Sequence, residues 1–137
     1  MNINGLNKKL NNGLMLEKSI EQLENNYWKE ESEFPTNLVL RCFEYRKIKL
    51  SKLTIEQIRL LISQNIGIEF LISIALEKLE ENIIIEGNLY EGDLLDSVSK
   101  ISPEFWKKNK IEFEKFKIIV KKNREKIETE LGEKELI

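Results

Sequence analysis

Between Ile68 and Leu79 the sequence leaves almost no polar face: Ile68, Phe70, Leu71, Ile72, Ile74, Ala75, Leu76 and Leu79 crowd one short segment. A helix apolar nearly all round, in a chain that does not span a membrane, must be wrapped by other elements. The pattern therefore predicts a central helix over 68–81, with Gly67 stopping the helix before it. The other strong patterns share its 3.6-residue period, and none alternates as a half-buried strand would. Valine and threonine are scarce, and the isoleucines lie on helical stripes, where packing outweighs their mildly poor helix propensity. The expected fold class is all-α: a single compact domain of about six helices.

The remaining helices carry readable start signals. Ser19-Ile20-Glu21-Gln22 and Thr54-Ile55-Glu56-Gln57 are capping boxes, in which the hydroxyl serves an orphan backbone N–H and the glutamine reaches back. The first opens a short helix to about Trp28; the second opens a stripe of Ile55, Ile58, Leu61, Ile62 and Ile66. Pro35 suits the first turn of a helix bearing Leu38, Val39, Cys42 and Phe43. Residues 82–92 read as a connection, with Ile83-Ile84-Ile85 as a short extended piece that has nothing to pair with. Asp93 can cap a short helix through Val98, and Ser102-Pro103-Glu104 starts the last helical region. That region places Trp106, Phe113, Phe116, Val120 and Ile127 on one side, with a break near Asn109. The asparagine-rich residues 1–14 read as a loosely ordered arm, 15–131 as the helical domain and 132–137 as a frayed end. Met15 offers an alternative start.

The chain has 137 residues, which suits one domain, and it has no histidine. That excludes a Ser-His-Asp triad, a Cys-His pair and an imidazole zinc site. Cys42 lies on the apolar stripe of its helix and reads as a core residue with nothing to activate it. Asp93 and Asp96, or Glu80 and Glu81, are explained by an acidic surface rather than a metal, and no phosphate-cradling loop occurs. No cofactor and no enzymatic activity is expected. The longest apolar stretch, 66–76, is broken by Glu69 and is too short to span a bilayer. No signal core follows Lys8 and Lys9, so a cytoplasmic, unexported protein is expected, without membrane partners.

A net charge of −2 hides a dipole. Residues 1–99 carry a net −5, residues 100–126 a net +6 and residues 127–137 a net −3. In the basic segment Lys115, Lys117, Lys121 and Lys122 could neutralise phosphates, but Glu112, Glu114 and Glu125 are interleaved. A solvated amphipathic helix explains the pattern, and a small all-α nucleic-acid or regulatory binder remains the alternative. The opposite feature runs from Glu77 to Asp96, where seven acids face Lys78 alone. It brackets a glycine-containing loop with Tyr90, a plausible surface for a basic protein partner, because charge steers encounter and an aromatic ring gives affinity.

Several segments, in order, resemble the immunity proteins of bacterial contact-dependent growth inhibition (CDI) systems. They are Ser19–Glu24 with Tyr27-Trp28, Arg41-Cys42 with Arg46, Leu53–Gly67, Ala75–Leu79, Glu86–Leu95 and Phe105-Trp106. The runs Arg59–Gly67 and Tyr90–Leu95 are the most specific. The family pattern has prolines near Ser73, near Ile83 and between Tyr90 and Gly92, where this chain has none. The resemblance implies a non-enzymatic protein that binds and blocks the C-terminal toxin domain of the cognate exported protein, CdiA, often a nuclease acting in the cytosol. A nuclease site is basic, so an acidic surface could plug it; Glu80, Glu81, Glu86, Tyr90, Glu91 and Asp96 are the expected contacts. Arg59 and Gln64 are then internal hydrogen bonders, and Gly92 and Asp93 a turn and cap.

Overall fold

A computed structural model describes residues 13–31 and 33–136. Most of the expected N-terminal arm, residues 1–12, lies outside them. Among the described residues the chain is all-α, with six helices of seven or more residues. Among these residues two isolated antiparallel β-bridges form, Ser19 with Lys49 and Glu86 with Glu91. Internal contacts divide the chain after Leu53 into two compact units, 1–53 and 54–137.

The first unit holds α1 (Ile20–Glu24), α2 (Asn37–Tyr45) and a 3-10 turn at Leu50–Lys52. The capping box forms as expected: Gln22 N–H donates to Ser19 Oγ, and Ser19 N–H donates to Gln22 Oε1 at 2.9 Å. α1 stops short of Trp28 because Asn25 takes the left-handed conformation, φ 50°. The next helix begins at Asn37, with Thr36 as its cap, so Pro35 lies before the cap and not in the first turn. Ile20, Cys42, Phe43 and Leu50 are buried. Burial pushes the Cys42 thiol pKa up, against an opposing pull from Arg41. Arg46 is the largest fully buried side chain of this unit, 1 % exposed. It donates to Glu24 Oε1 at 2.8 Å and to the Asn26 carbonyl at 2.7 Å. Its guanidinium lies 4.3 Å from the Trp28 ring centroid. Trp28, freed from the helix, thus becomes the lid of a buried cation.

The second unit holds α3 (Ile55–Ser63), α4 (Ile68–Glu81), α5 (Asp93–Ser99), α6 (Pro103–Lys108), α7 (Lys110–Lys122) and α8 (Arg124–Leu131). α4 packs against α3, α5 and α7, the central position expected of it. Its Ile68, Leu71, Ile72, Ala75, Leu76 and Leu79 are buried, while Glu69, Ser73, Glu77 and Glu80 keep an outer line. α3 ends earlier than Gly67, at Ser63, with Asn65 just beyond its cap left-handed at φ 58°; Gly67 instead caps the start of α4. Residues 83–84 form a turn, with Ile84 N–H donating to Asn82 Oδ1, and Ile83 is buried. The basic region breaks at Asn109, where a break was expected, and again at Asn123. Each asparagine turns its amide back onto the preceding helix, at Phe105 O and Ile119 O. Trp106 stacks on Phe113 and Phe116, with centroids 5.1 and 5.7 Å away.

Leu71 is wholly enclosed by its neighbours. Leu71→Ala is expected to lower the unfolding free energy by about 2–5 kcal/mol, read by urea denaturation.

Candidate functional site

The acidic loop between α4 and α5 is built around one guanidinium. Arg59, on the buried side of α3, donates through Nε to Glu56 Oε2 at 2.7 Å, and a second nitrogen, Nη2, donates to Glu56 Oε1. Asp93, at the first turn of α5, places Oδ2 3.8 Å from Arg59 Nε. Its side chain is only 1 % exposed. Two carboxylates against one cation leave a local excess of negative charge in a desolvated place, which is costly unless further donors meet it. The loop supplies them. Gly87 N–H donates to Asp93 Oδ1 at 2.7 Å, Asn88 N–H to Glu56 Oε2 at 2.8 Å and Leu89 N–H to Asp93 Oδ2 at 3.1 Å. Three successive amides are thereby bound to the ion cluster. Arg59 has its pKa raised, first by its hydrogen bond to Glu56 and then, against burial, by the charges of Glu56, Asp93 and Tyr90.

Two glycines make the approach possible. A Cβ on Gly87 would stand 2.5 Å from Glu56 Oε2 and 3.2 Å from the Glu56 Cα. Gly92, at φ 83°, would put a Cβ 2.6 Å from Leu131 Cδ1 of α8. Gly92 is therefore the turn, and it also caps α5. Asp93 is not the cap. It stands inside the helix, and its carboxylate reaches back to the loop. Gln64, expected as an internal bonder, is exposed on the surface.

Held in this way, the loop presents an apolar tip. Leu89 is 60 % and Tyr90 45 % exposed. Glu86 and Glu91, both exposed, face each other across the antiparallel bridge at the loop's base. Tyr90 donates its hydroxyl to Asp96 Oδ2 at 2.8 Å. Lys134, beyond α8, reaches the same carboxylate at 2.9 and 3.1 Å. Leu136, two residues on, is buried. The bond to Asp96, then slight burial and the charges of Asp96 and Asp93, raise the Tyr90 pKa against the pull of Arg59. A hollow of about 230 Å³ lies beside the tip, bordered by Arg59, Tyr90, Asp96 and Lys100.

Four of the six acidic-stretch candidates thus belong to one place: Glu86, Tyr90, Glu91 and Asp96. Asp96 is largely covered and already engaged. Glu80 and Glu81 stand at the end of α4 with lysine neighbours, Lys122 at 4.0 Å and Lys78 at 3.9 Å. The sequence points to neither Leu89 nor Lys134, because one apolar residue in a loop and one lysine in a tail carry no periodic signal. Among the described residues no group of three or more His, Cys, Asp or Glu is placed to hold a metal. Among them too, no helix is long and apolar enough to cross a membrane.

A family model described as CDI immunity proteins matches residues 22–116, a range that includes the whole ion cluster and loop. No curated protein and no solved structure matches the chain.

Arg59→Met leaves Glu56 and Asp93 buried without their cation and is expected to cost about 3–5 kcal/mol in urea unfolding. Tyr90 gives a prediction in pH. Its native pKa is raised, so its contribution to stability is full below the unfolded phenol's pKa and is lost as pH climbs through the native value. Asp96→Asn, in a Tyr27→Phe, Tyr45→Phe background, should move the phenolate absorbance transition to lower pH.

Proposed function

The chain belongs to the family of CDI immunity proteins, and from that membership we propose that it binds and neutralises a cytosol-acting nuclease toxin domain through the acidic loop. The partner is the C-terminal toxin domain of the cognate CdiA protein. This chain acts on it as an inhibitor in the cytoplasm and catalyses nothing.

The observation that carries the reading is the exposed Leu89–Tyr90 tip, flanked by Glu86 and Glu91 and fixed from beneath by Arg59, Glu56 and Asp93. A tip anchored through three successive amides loses little conformational freedom on binding, so more of its contact energy is kept as affinity. An aromatic ring with an apolar neighbour is the kind of anchor that dominates interfaces. Carboxylates beside it suit a site shaped to hold phosphate, and mimic the charge of the nucleic acid they displace. Glu80 and Glu81 add to the negative field that steers encounter, and Asp96 acts by holding the Tyr90 hydroxyl.

The test is growth rescue. The toxin domain encoded immediately upstream is induced in a test bacterium with and without this protein. Rescue with a copurifying 1:1 complex is expected; toxicity undiminished by well-folded protein refutes the reading. Within the complex, Tyr90→Ala is expected to weaken binding by about 2 kcal/mol, roughly 30-fold. Glu86→Lys with Glu91→Lys is expected to slow association and flatten its salt dependence, read by stopped flow.

A further inference from the structure

The helices α4 and α7 carry a second pair of surfaces that the loop does not use. On α7, Ile111, Lys115, Ile118 and Lys122 repeat at spacings of 4, 3 and 4, the interval of a seam between helices. Ile111 is 62 % and Ile118 55 % exposed. One exposed isoleucine needs no explanation. Two of them one heptad apart on the same line, alternating with Lys115 and Lys122, form a stripe fit for an acidic and apolar counterpart. On α4 the outer line is Glu69, Ser73, Glu77 and Glu80, with Phe70 and Ile74 half-exposed beside it. α4 and α7 pack together, and the two lines approach where Lys122 Nζ stands 4.0 Å from Glu80 Oε1. That contact is exposed at both ends.

We propose that two copies of this chain pair through this face, the lysine–isoleucine line of α7 in each lying on the glutamate line of α4 in the other. The argument is charge complementarity under symmetry. In a two-fold interface, whatever residue i does to residue j, residue j of the partner does to residue i. A surface with an acidic line beside a basic one meets its own copy with both lines satisfied at once. The isoleucines then leave water together with Phe70 and Ile74, which supplies the apolar part of the contact. The pairing does not use the loop tip, and Glu80 is the one position it shares with the negative field that steers the toxin.

Sedimentation equilibrium on the full chain tests it. The expected result is a dimer at low ionic strength that weakens as salt screens the lines. Lys115→Glu with Lys122→Glu, and separately Glu77→Lys with Glu80→Lys, should each weaken pairing at least tenfold while keeping the helical circular dichroism. Mixing the two variants should restore a dimer, because each then offers the line that the other needs. If either charge variant fails to fold, Ile111→Ser with Ile118→Ser replaces it, and loss of the dimer is again expected. A monomer at high micromolar concentration overturns the proposal. So does a dimer indifferent to every substitution, or a mixture of folded variants that stays monomeric. RNA retained by a monomeric protein and released by Lys115→Glu with Lys122→Glu would also overturn it, and would give the α7 face to nucleic acid.

Discussion

Arg59 sits where a charge is expensive, and the organisation of the acidic loop depends on how that charge is met. Glu56 reaches it from one turn earlier on α3, and Asp93 from the start of α5. Together they overcompensate, and the surplus is taken up by the amides of Gly87, Asn88 and Leu89. Removing any one member strands the others in a low-dielectric place, so the cluster forms as a whole or not at all. The backbone that satisfies the carboxylates is the backbone that leads to the tip. A buried electrostatic requirement therefore fixes a surface feature, and Tyr90 emerges with its hydroxyl already tied to Asp96.

The first unit solves a similar problem differently. Arg46 is more deeply buried still, but it has one carboxylate, one carbonyl and the face of Trp28. Its Nε and Nη1 meet no hydrogen-bond acceptor among the described residues. There the aromatic face stands in for hydrogen bonds, a weaker and less directional means of holding a guanidinium. The loop around Arg59 is held by many directed bonds, which suits a surface that must keep its shape when it meets a partner.

Charge at the surface also has a geometry that composition conceals. The acidic stretch from Glu77 to Asp96 is continuous in sequence, yet its members take different parts. Glu80 and Glu81 have lysine neighbours at the end of α4, Asp93 is buried, Asp96 is engaged, and Glu86 and Glu91 alone flank the tip. Helix ends show the same dependence on detail. Both capping boxes form, since each needs only residues three apart. The ends at Asn25, Asn65 and Asn123 are not legible in the sequence. An asparagine adopts a left-handed or bent conformation readily, but the packing around it decides whether it does so. The break near Asn109 was expected, but the apolar stripe steps from Trp106 to Phe113 by seven residues, so its phase does not show it.

What the sequence determined by itself is the part that local physics controls. Period 3.6 specifies helices, serine and threonine three residues before a glutamine specify their starts, and the nearly uniform apolarity of 68–79 places α4 in the middle. The resemblance to CDI immunity proteins was also legible, because it rests on residues in order. Tertiary structure alone decided which charges distant in sequence pair. With 22 basic and 24 acidic side chains, nothing local selects Asp93 for Arg59 across 34 positions, or Lys134 for Asp96 across 38. Those choices depend on which helices pack on α4, and a one-dimensional pattern holds no term for them. The same holds for Leu136, buried after a helix has ended, and for Leu89, exposed although apolar. Burial belongs to the assembled fold, and periodicity reveals it only where an element is long enough to have two sides.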